Sequence, residues 1–69
     1  MLQQMYVIRN LRELRLRKGY TQERLAEKCG LSVNYVRRME IGWANPTLRV
    51  VSRLTAALGC TLDDLCRPN

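Results

Sequence analysis

The fold is decided by the stretch TQERLAEKCGLSVNYVRRMEIG, which runs from Thr21 to Gly42. Leu25, Ala26 and Cys29 form an apolar stripe at helical spacing in its first half, and Val36 and Met39 do so in its second half. Gly30 lies between the two halves, where glycine readily ends a helix. The stretch therefore predicts two short helices joined by a tight turn, which is the arrangement of a helix-turn-helix.

Capping residues place the ends of these two helices. Thr21 and Ser32 each precede an apolar stripe, and their hydroxyl groups suit the unpaired backbone N–H groups of a first helical turn. Glu23 follows Thr21 in the first turn, where a negative charge suits the helix dipole. Gly42 is expected to end the second helix.

Three more helices are expected around this pair. Their predicted ranges are about 5–18, 48–58 and 61–66. The predicted helix 48–58 follows the N-cap Thr47 and is expected to bury Leu48, Val51, Leu54 and Leu58. Thr61 and Asp64 form a capping-box variant at the start of the last helix. The sequence thus predicts an all-α fold of five helices in a single domain, residues 1–69.

Composition favours a nucleic-acid partner. Twelve Lys and Arg residues against six acids give a net charge of +6, and ten of the twelve are Arg. Arginine offers a planar fork of donors that suits phosphates and guanine edges, although a basic surface can also serve a membrane or an acidic protein. The sequence has no apolar run long enough to span a bilayer and no pattern of a secretion signal, so we expect a cytoplasmic protein without membrane contact.

Catalysis and metal binding are not expected. The chain has no His, no group of metal ligands and no Gly-rich phosphate loop. Cys29 and Cys60 are interpreted as small buried apolar residues, and Cys66 as the thiol most open to oxidation. The sequence therefore predicts a protein that is not an enzyme and needs no cofactor.

The outward face of the second helix in the opening stretch has side chains that can read DNA. Val33, Asn34, Arg37 and Arg38 share this face. Asparagine can form two hydrogen bonds with adenine, arginine can do so with guanine, and an apolar side chain such as valine suits the methyl group of thymine. This helix is therefore the predicted recognition helix.

A resemblance to the Cro/C1-type helix-turn-helix family is carried by the residues LRELRLRKGYTQERLAEKCGLSVNYVRRMEIGWANPTLRVVSRLTAALGCTLDDL. The family includes lambdoid phage repressors and Cro proteins, restriction-modification controller proteins and many antitoxins. The resemblance covers about Val7 to Leu65, with TQ, LA, NP and ALG among its markers. It implies a compact five-helix, lambda-repressor-like DNA-binding domain with the helix-turn-helix at helices two and three.

The resemblance also implies roles for single residues. Gln22 matches a family glutamine that hydrogen-bonds a DNA phosphate and supports the recognition helix. Arg15 and Glu40 match a pair that forms a largely buried salt bridge. Contacts with DNA bases are expected from Val33, Asn34 and Arg38, and contacts with the DNA backbone from Gln22, Ser32, Arg37 and Trp43.

Simpler structural roles remain open for several of these residues. Asn34 could be a local helix cap, Gln22 an ordinary first-turn residue, and Arg37 and Arg38 a solvated basic face. Ile41 and Trp43 stand where relatives usually carry polar or basic residues. Trp43 could therefore contact the DNA backbone, pack against Pro46 or join a dimer contact.

The predicted function is a sequence-specific transcriptional regulator, most simply a repressor that occupies promoter DNA. One recognition helix reads few base pairs, so we expect a homodimer on an inverted repeat of double-stranded DNA. The favoured dimer surface is helix five with the end of helix four, which includes Leu62, Leu65 and Cys66. The alternatives are the loop near Trp43 and Asn45 and the N-terminal Leu2, Met5 and Tyr6. The alternative function is an antitoxin, whose main partner would be a toxin protein.

Overall fold

A computed structural model describes the backbone of residues 4–68 and the side chains of residues 7–68. It contains five helices and, within the described residues, no strand. The helices are α1 (Gln4–Arg17), α2 (Gln22–Cys29), α3 (Val33–Glu40), α4 (Leu48–Leu58) and α5 (Leu62–Cys66). The prediction of an all-α fold with five helices is therefore confirmed.

The predicted caps begin the last four helices. Each cap has an extended backbone, and its hydroxyl oxygen accepts a hydrogen bond from the backbone N–H three residues ahead. These residues are Thr21, Ser32, Thr47 and Thr61. Gly30 and Gly59 end α2 and α4 with left-handed backbones, which glycine adopts without steric strain. The boundaries of these helices thus follow from local chemistry.

The capping box of α5 is complete. The backbone N–H of Thr61 donates to Asp64 Oδ2 at 2.9 Å, and the backbone N–H of Asp64 donates to the Thr61 hydroxyl at 3.2 Å. Hydrogen bonds from the Thr61 backbone and side chain stabilise the charged carboxylate and lower the pKa of Asp64. The short α5 therefore begins at a defined residue.

One continuous apolar core joins the helices. Its buried members are Leu11, Leu25, Ala26, Cys29, Val36, Met39, Val51, Leu54, Leu58 and Leu65. The helix pair α2 and α3 packs together, α3 also packs on α1, and α5 packs on α1 and α4. This packing surrounds the inner faces of α2 and α3 and leaves the opposite face of α3 open.

The prediction that Leu48 is buried is wrong, because its side chain is 69% exposed. Leu48 is the first residue of α4, directly after the cap Thr47, and the core residues of α4 begin one turn later at Val51. Cys60 is only partly buried, whereas Cys29 is buried as expected.

Asn10 is a buried polar residue that the sequence interpretation missed. Its amide nitrogen donates to the carbonyl oxygens of Leu65 and Arg67, both at 2.8 Å, and the residue is only 5% exposed. These bonds satisfy backbone carbonyls at the end of α5 and join that end to α1. Asn10 lies at helical spacing from the buried Val7, and this spacing is the signal that could have revealed it.

A buried ion pair fixes α3 against α1. Arg15 Nε donates to Glu40 Oε2 at 2.6 Å, and Arg15 Nη2 donates to Glu40 Oε1 at 3.1 Å. The two side chains are 9% and 4% exposed. Arg15 Nη1 also donates to the backbone carbonyl of Tyr20 at 2.8 Å, which ties down the turn before α2. The end of the predicted recognition helix is thus held by a two-point contact.

The first prediction concerns the stability that depends on this pair. Replacing Glu40 by Ala should lower the free energy of unfolding by about 3–5 kcal/mol, because it leaves the charge of Arg15 buried without its partner. The double variant Arg15→Met/Glu40→Leu should recover most of this loss, since it removes both charges and keeps the volume. Urea unfolding followed by circular dichroism measures both values.

Glu27→Ala is the matched control, because the Arg24–Glu27 pair is well exposed, with side chains 54% and 69% accessible. Such a pair typically contributes about 1 kcal/mol or less. An equally small loss for Glu40→Ala would contradict the structural role of the buried pair.

Candidate nucleic-acid interface

The outward face of α3 presents the residues expected to contact DNA. Asn34, Arg37 and Arg38 are exposed, whereas Val36 and Met39 on the opposite face are buried. Val33 is only partly exposed, because it also packs against the core. The structure therefore brings four side chains of the predicted set to one surface, with Val33 at its inner edge.

The start of α3 is capped by Ser32 and not by Asn34. The Ser32 hydroxyl accepts a hydrogen bond from the backbone N–H of Tyr35 at 3.1 Å. Ser32 is exposed next to the outward face. The interpretation of Asn34 as a local cap is therefore wrong.

Gln22 joins the start of α2 to the end of α3. Its Nε2 donates to Glu40 Oε1 at 3.0 Å, and its Oε1 accepts a hydrogen bond from Arg37 Nε at 3.4 Å. With Arg15 these residues form the corner network, which we define as Arg15, Gln22, Arg37 and Glu40. Gln22 is thus no ordinary first-turn residue, because both ends of its amide connect the two helices.

Glu23 adds an acidic group beside the corner network, a contact that the sequence did not reveal. Arg37 Nη2 donates to Glu23 Oε2 at 3.2 Å. The interpretation of Glu23 from the sequence used only its favourable position near the helix dipole. No local spacing could have indicated the pair, because its members lie on different helices.

The loop after α3 exposes two apolar side chains. Ile41 is 64% and Trp43 is 78% exposed, although the backbone N–H of Trp43 donates to the carbonyl of Arg38 at 2.8 Å. Gly42 between them has a φ of 84°, which a residue with a Cβ rarely adopts. The sequence left open that Trp43 packs against Pro46, but an exposure of 78% leaves most of this residue accessible to solvent.

Charge on the described surface is predominantly positive. Exposed arginine and lysine side chains occur on α1, on α2 and α3, and on α4. Four ion pairs between described side chains engage Arg15, Arg24, Arg37 and Arg67. Arg38 belongs to none of these pairs, so its charge faces solvent from the outward face of α3.

The described residues contain no group of His, Cys, Asp and Glu that could hold a metal ion. Burial raises the pKa of the Cys29 thiol and also that of the Cys60 thiol, so both favour the protonated form over the reactive thiolate. Among residues 4–68, every helix is too short or too polar to cross a lipid bilayer.

Comparison with known proteins agrees with this geometry. Residues 11–65 match the sequence model of a family described as helix-turn-helix. A Neisseria hypothetical transcription factor from Neisseria meningitidis serogroup B is 39% identical over 59 residues, which are 86% of this chain and 56% of that protein. The SPbeta prophage-derived uncharacterized HTH-type transcriptional regulator YonR of Bacillus subtilis is 35% identical over 57 residues, 83% of this chain and 53% of that protein. The chain thus spans about half the length of these two relatives.

A further relative is matched over more of its length, and a solved structure shares the fold. The uncharacterized HTH-type transcriptional regulator y4dJ of Sinorhizobium fredii is 37% identical over 59 residues, 86% of this chain and 77% of that protein. The crystal structure of a hypothetical transcription factor from Neisseria superimposes with a TM-score of 0.89 at 35% identity, covering 94% of this chain and 75% of that chain. The chain therefore belongs to the helix-turn-helix family of Cro/C1 type.

Proposed function

We propose that the chain is a sequence-specific DNA-binding transcriptional regulator that inserts α3 into the major groove of double-stranded DNA. The observation that carries the proposal is the outward face of α3, where Asn34 and Arg38 are exposed on a helix whose other face is buried. The corner network joins this helix to α1 and α2 through side-chain hydrogen bonds. Rigid support matters, because base-reading hydrogen bonds need a fixed geometry.

Bases are read, in this proposal, by Val33, Asn34 and Arg38. Asn34 suits adenine and Arg38 suits guanine, and the exposed part of Val33 suits a thymine methyl group. Arg38 fits this role because no acidic side chain of the described residues pairs with it.

Backbone contacts are proposed for Gln22, Ser32, Arg37 and Trp43. The amide nitrogen of Gln22 has two hydrogens, so it can bind Glu40 and a phosphate together. Trp43 can place its exposed ring against a sugar and donate its indole N–H to a phosphate. These contacts orient α3 and add affinity without reading the sequence.

Repression through a homodimer is the finer part of the proposal. Two copies of α3 can read an inverted repeat whose half-site centres lie about 34–36 Å apart, or a multiple of that distance. Occupied promoter DNA is then closed to transcription, and no cofactor is required. A cytoplasmic location is proposed because the DNA partner lies inside the cell.

The proposed dimer surface is the groove between α4 and α5. Leu48 and Leu62 are 69% and 44% exposed, and they line this groove with Val51, Ser52 and Thr55. The sequence had favoured α5 with the end of α4, whereas this groove begins at the first residue of α4. Leu65, which was expected in the dimer surface, is fully buried in the core and is not available to a partner. The alternative surface formed by Leu2, Met5 and Tyr6 lies outside the described side chains.

The second prediction separates base contacts from backbone contacts. On the DNA site that the protein selects, Asn34→Ala and Arg38→Ala should each reduce discrimination at one defined base pair by about 1–3 kcal/mol. Arg37→Ala should weaken binding to all sequences alike. It should also reduce the slope of log K against log salt concentration by at most about the contribution of one phosphate contact. Competition binding with single-base-pair variants of the site measures both effects. Unchanged base preference in Arg38→Ala would contradict the proposed orientation of α3.

The third prediction tests the dimer surface. Leu48→Glu should shift the protein from dimer to monomer in sedimentation velocity, because a carboxylate in the groove opposes apolar association. The fold should persist, since a negative charge suits the first turn of α4. Leu16→Glu is the control, because Leu16 is also exposed, at 57%, but lies on α1. Unchanged association of Leu48→Glu would show that the dimer forms elsewhere.

A further inference from the structure

The two neighbouring arginines on the outward face of α3 have different electrostatic environments. Arg37 donates to Gln22 Oε1 through Nε and to Glu23 Oε2 through Nη2, at 3.4 and 3.2 Å. Arg38 has no ion pair among the described residues. The start of α2 therefore restrains one arginine of the pair and leaves the other unrestrained.

The restraint acts on a residue that contacts phosphate in the proposed complex. The side chains of Arg37 and Glu23 are 51% and 65% exposed, so a DNA backbone can approach both. A phosphate that reaches Arg37 must compete with the Glu23 carboxylate for the same guanidinium, and the carboxylate also repels the phosphate. Glu23 thus lowers the attraction between Arg37 and DNA.

A weaker phosphate contact limits the overall affinity of a DNA-reading protein for DNA. Phosphate contacts strengthen binding to every sequence equally, and a genome offers a very large excess of non-specific sites. An acid that weakens such a contact lowers the affinity for specific and non-specific sites by the same factor, and it leaves base discrimination by Arg38 unchanged.

We propose that Glu23 limits the sequence-independent part of DNA affinity by restraining Arg37 against α2. This inference rests on the proposed DNA-binding function. It assigns to Glu23 a role that depends on one named partner and not on its charge alone.

The fourth prediction compares Glu23→Gln with Glu27→Gln. Both substitutions remove one negative charge from α2, but Glu27 pairs with Arg24 and not with Arg37. Glu23→Gln should bind a non-specific duplex about two- to fivefold more tightly than Glu27→Gln, which is the range that breaking one exposed ion pair allows. It should also steepen the salt dependence of binding, which is the slope of log K against log salt concentration. The increase should be at most about 0.9, the contribution of one additional phosphate contact. Fluorescence anisotropy over a series of salt concentrations measures both quantities.

The same two glutamine substitutions are then compared in a protein that also carries Arg37→Ala. If Glu23 acts through Arg37, Glu23→Gln should behave like Glu27→Gln once Arg37 is replaced. A difference between the two glutamine variants that persists in Arg37→Ala would show that Glu23 acts on DNA directly and would overturn the inference. Equal effects of the two substitutions in the wild-type background would overturn it as well.

Failure of the inference differs from failure of the proposed function. One outcome would contradict only the role of Glu23. In that outcome the wild-type protein binds duplex DNA, and the Glu23→Gln and Glu27→Gln variants have equal affinity for it and equal salt dependence. Wild-type protein that binds no duplex even at low salt, with its helices intact by circular dichroism, would contradict both.

Discussion

The buried ion pair between Arg15 and Glu40 is the constraint on which the arrangement of the surface depends. Each of these buried charges would be strongly destabilising without its partner. Their two hydrogen bonds join α1 to the end of α3. Glu40 also accepts a hydrogen bond from Gln22, which accepts one from Arg37. The pair thus begins a chain of polar contacts that leads from the interior to the outward face of α3.

Most of the fold could be predicted because its signals are local. The caps Thr21, Ser32, Thr47 and Thr61 and the glycines after α2 and α4 satisfy backbone groups within a few residues, so the sequence is sufficient to place the helix ends. Leu48 was misplaced, because an apolar residue next to a cap resembles a core residue although the first turn of α4 extends beyond the core. The burial of Asn10 was foreseeable from its helical spacing, but its partners were not, because they are backbone carbonyls more than 50 residues away.

The candidate site was predictable only in part. The outward position of Asn34, Arg37 and Arg38 follows from helical spacing, whereas the pairing of Arg15 with Glu40 was implied by resemblance to a family. The contact between Arg37 and Glu23 joins two helices, and its existence depends on how α2 and α3 pack. The exclusion of Leu65 from the dimer surface likewise depends on tertiary packing, because α5 turns this residue into the core. Helical spacing identified the outward residues, but their partners could be identified only from the packed structure.

The central claim is that a supported α3 reads a defined DNA sequence. Selection from random double-stranded DNA with the purified wild-type protein, at a salt concentration of about 150 mM that suppresses purely electrostatic binding, tests it most directly. The account predicts enrichment of an inverted repeat, with the two half-sites separated by about one helical turn or a multiple of it. A protein that remains helical but enriches no sequence would contradict it.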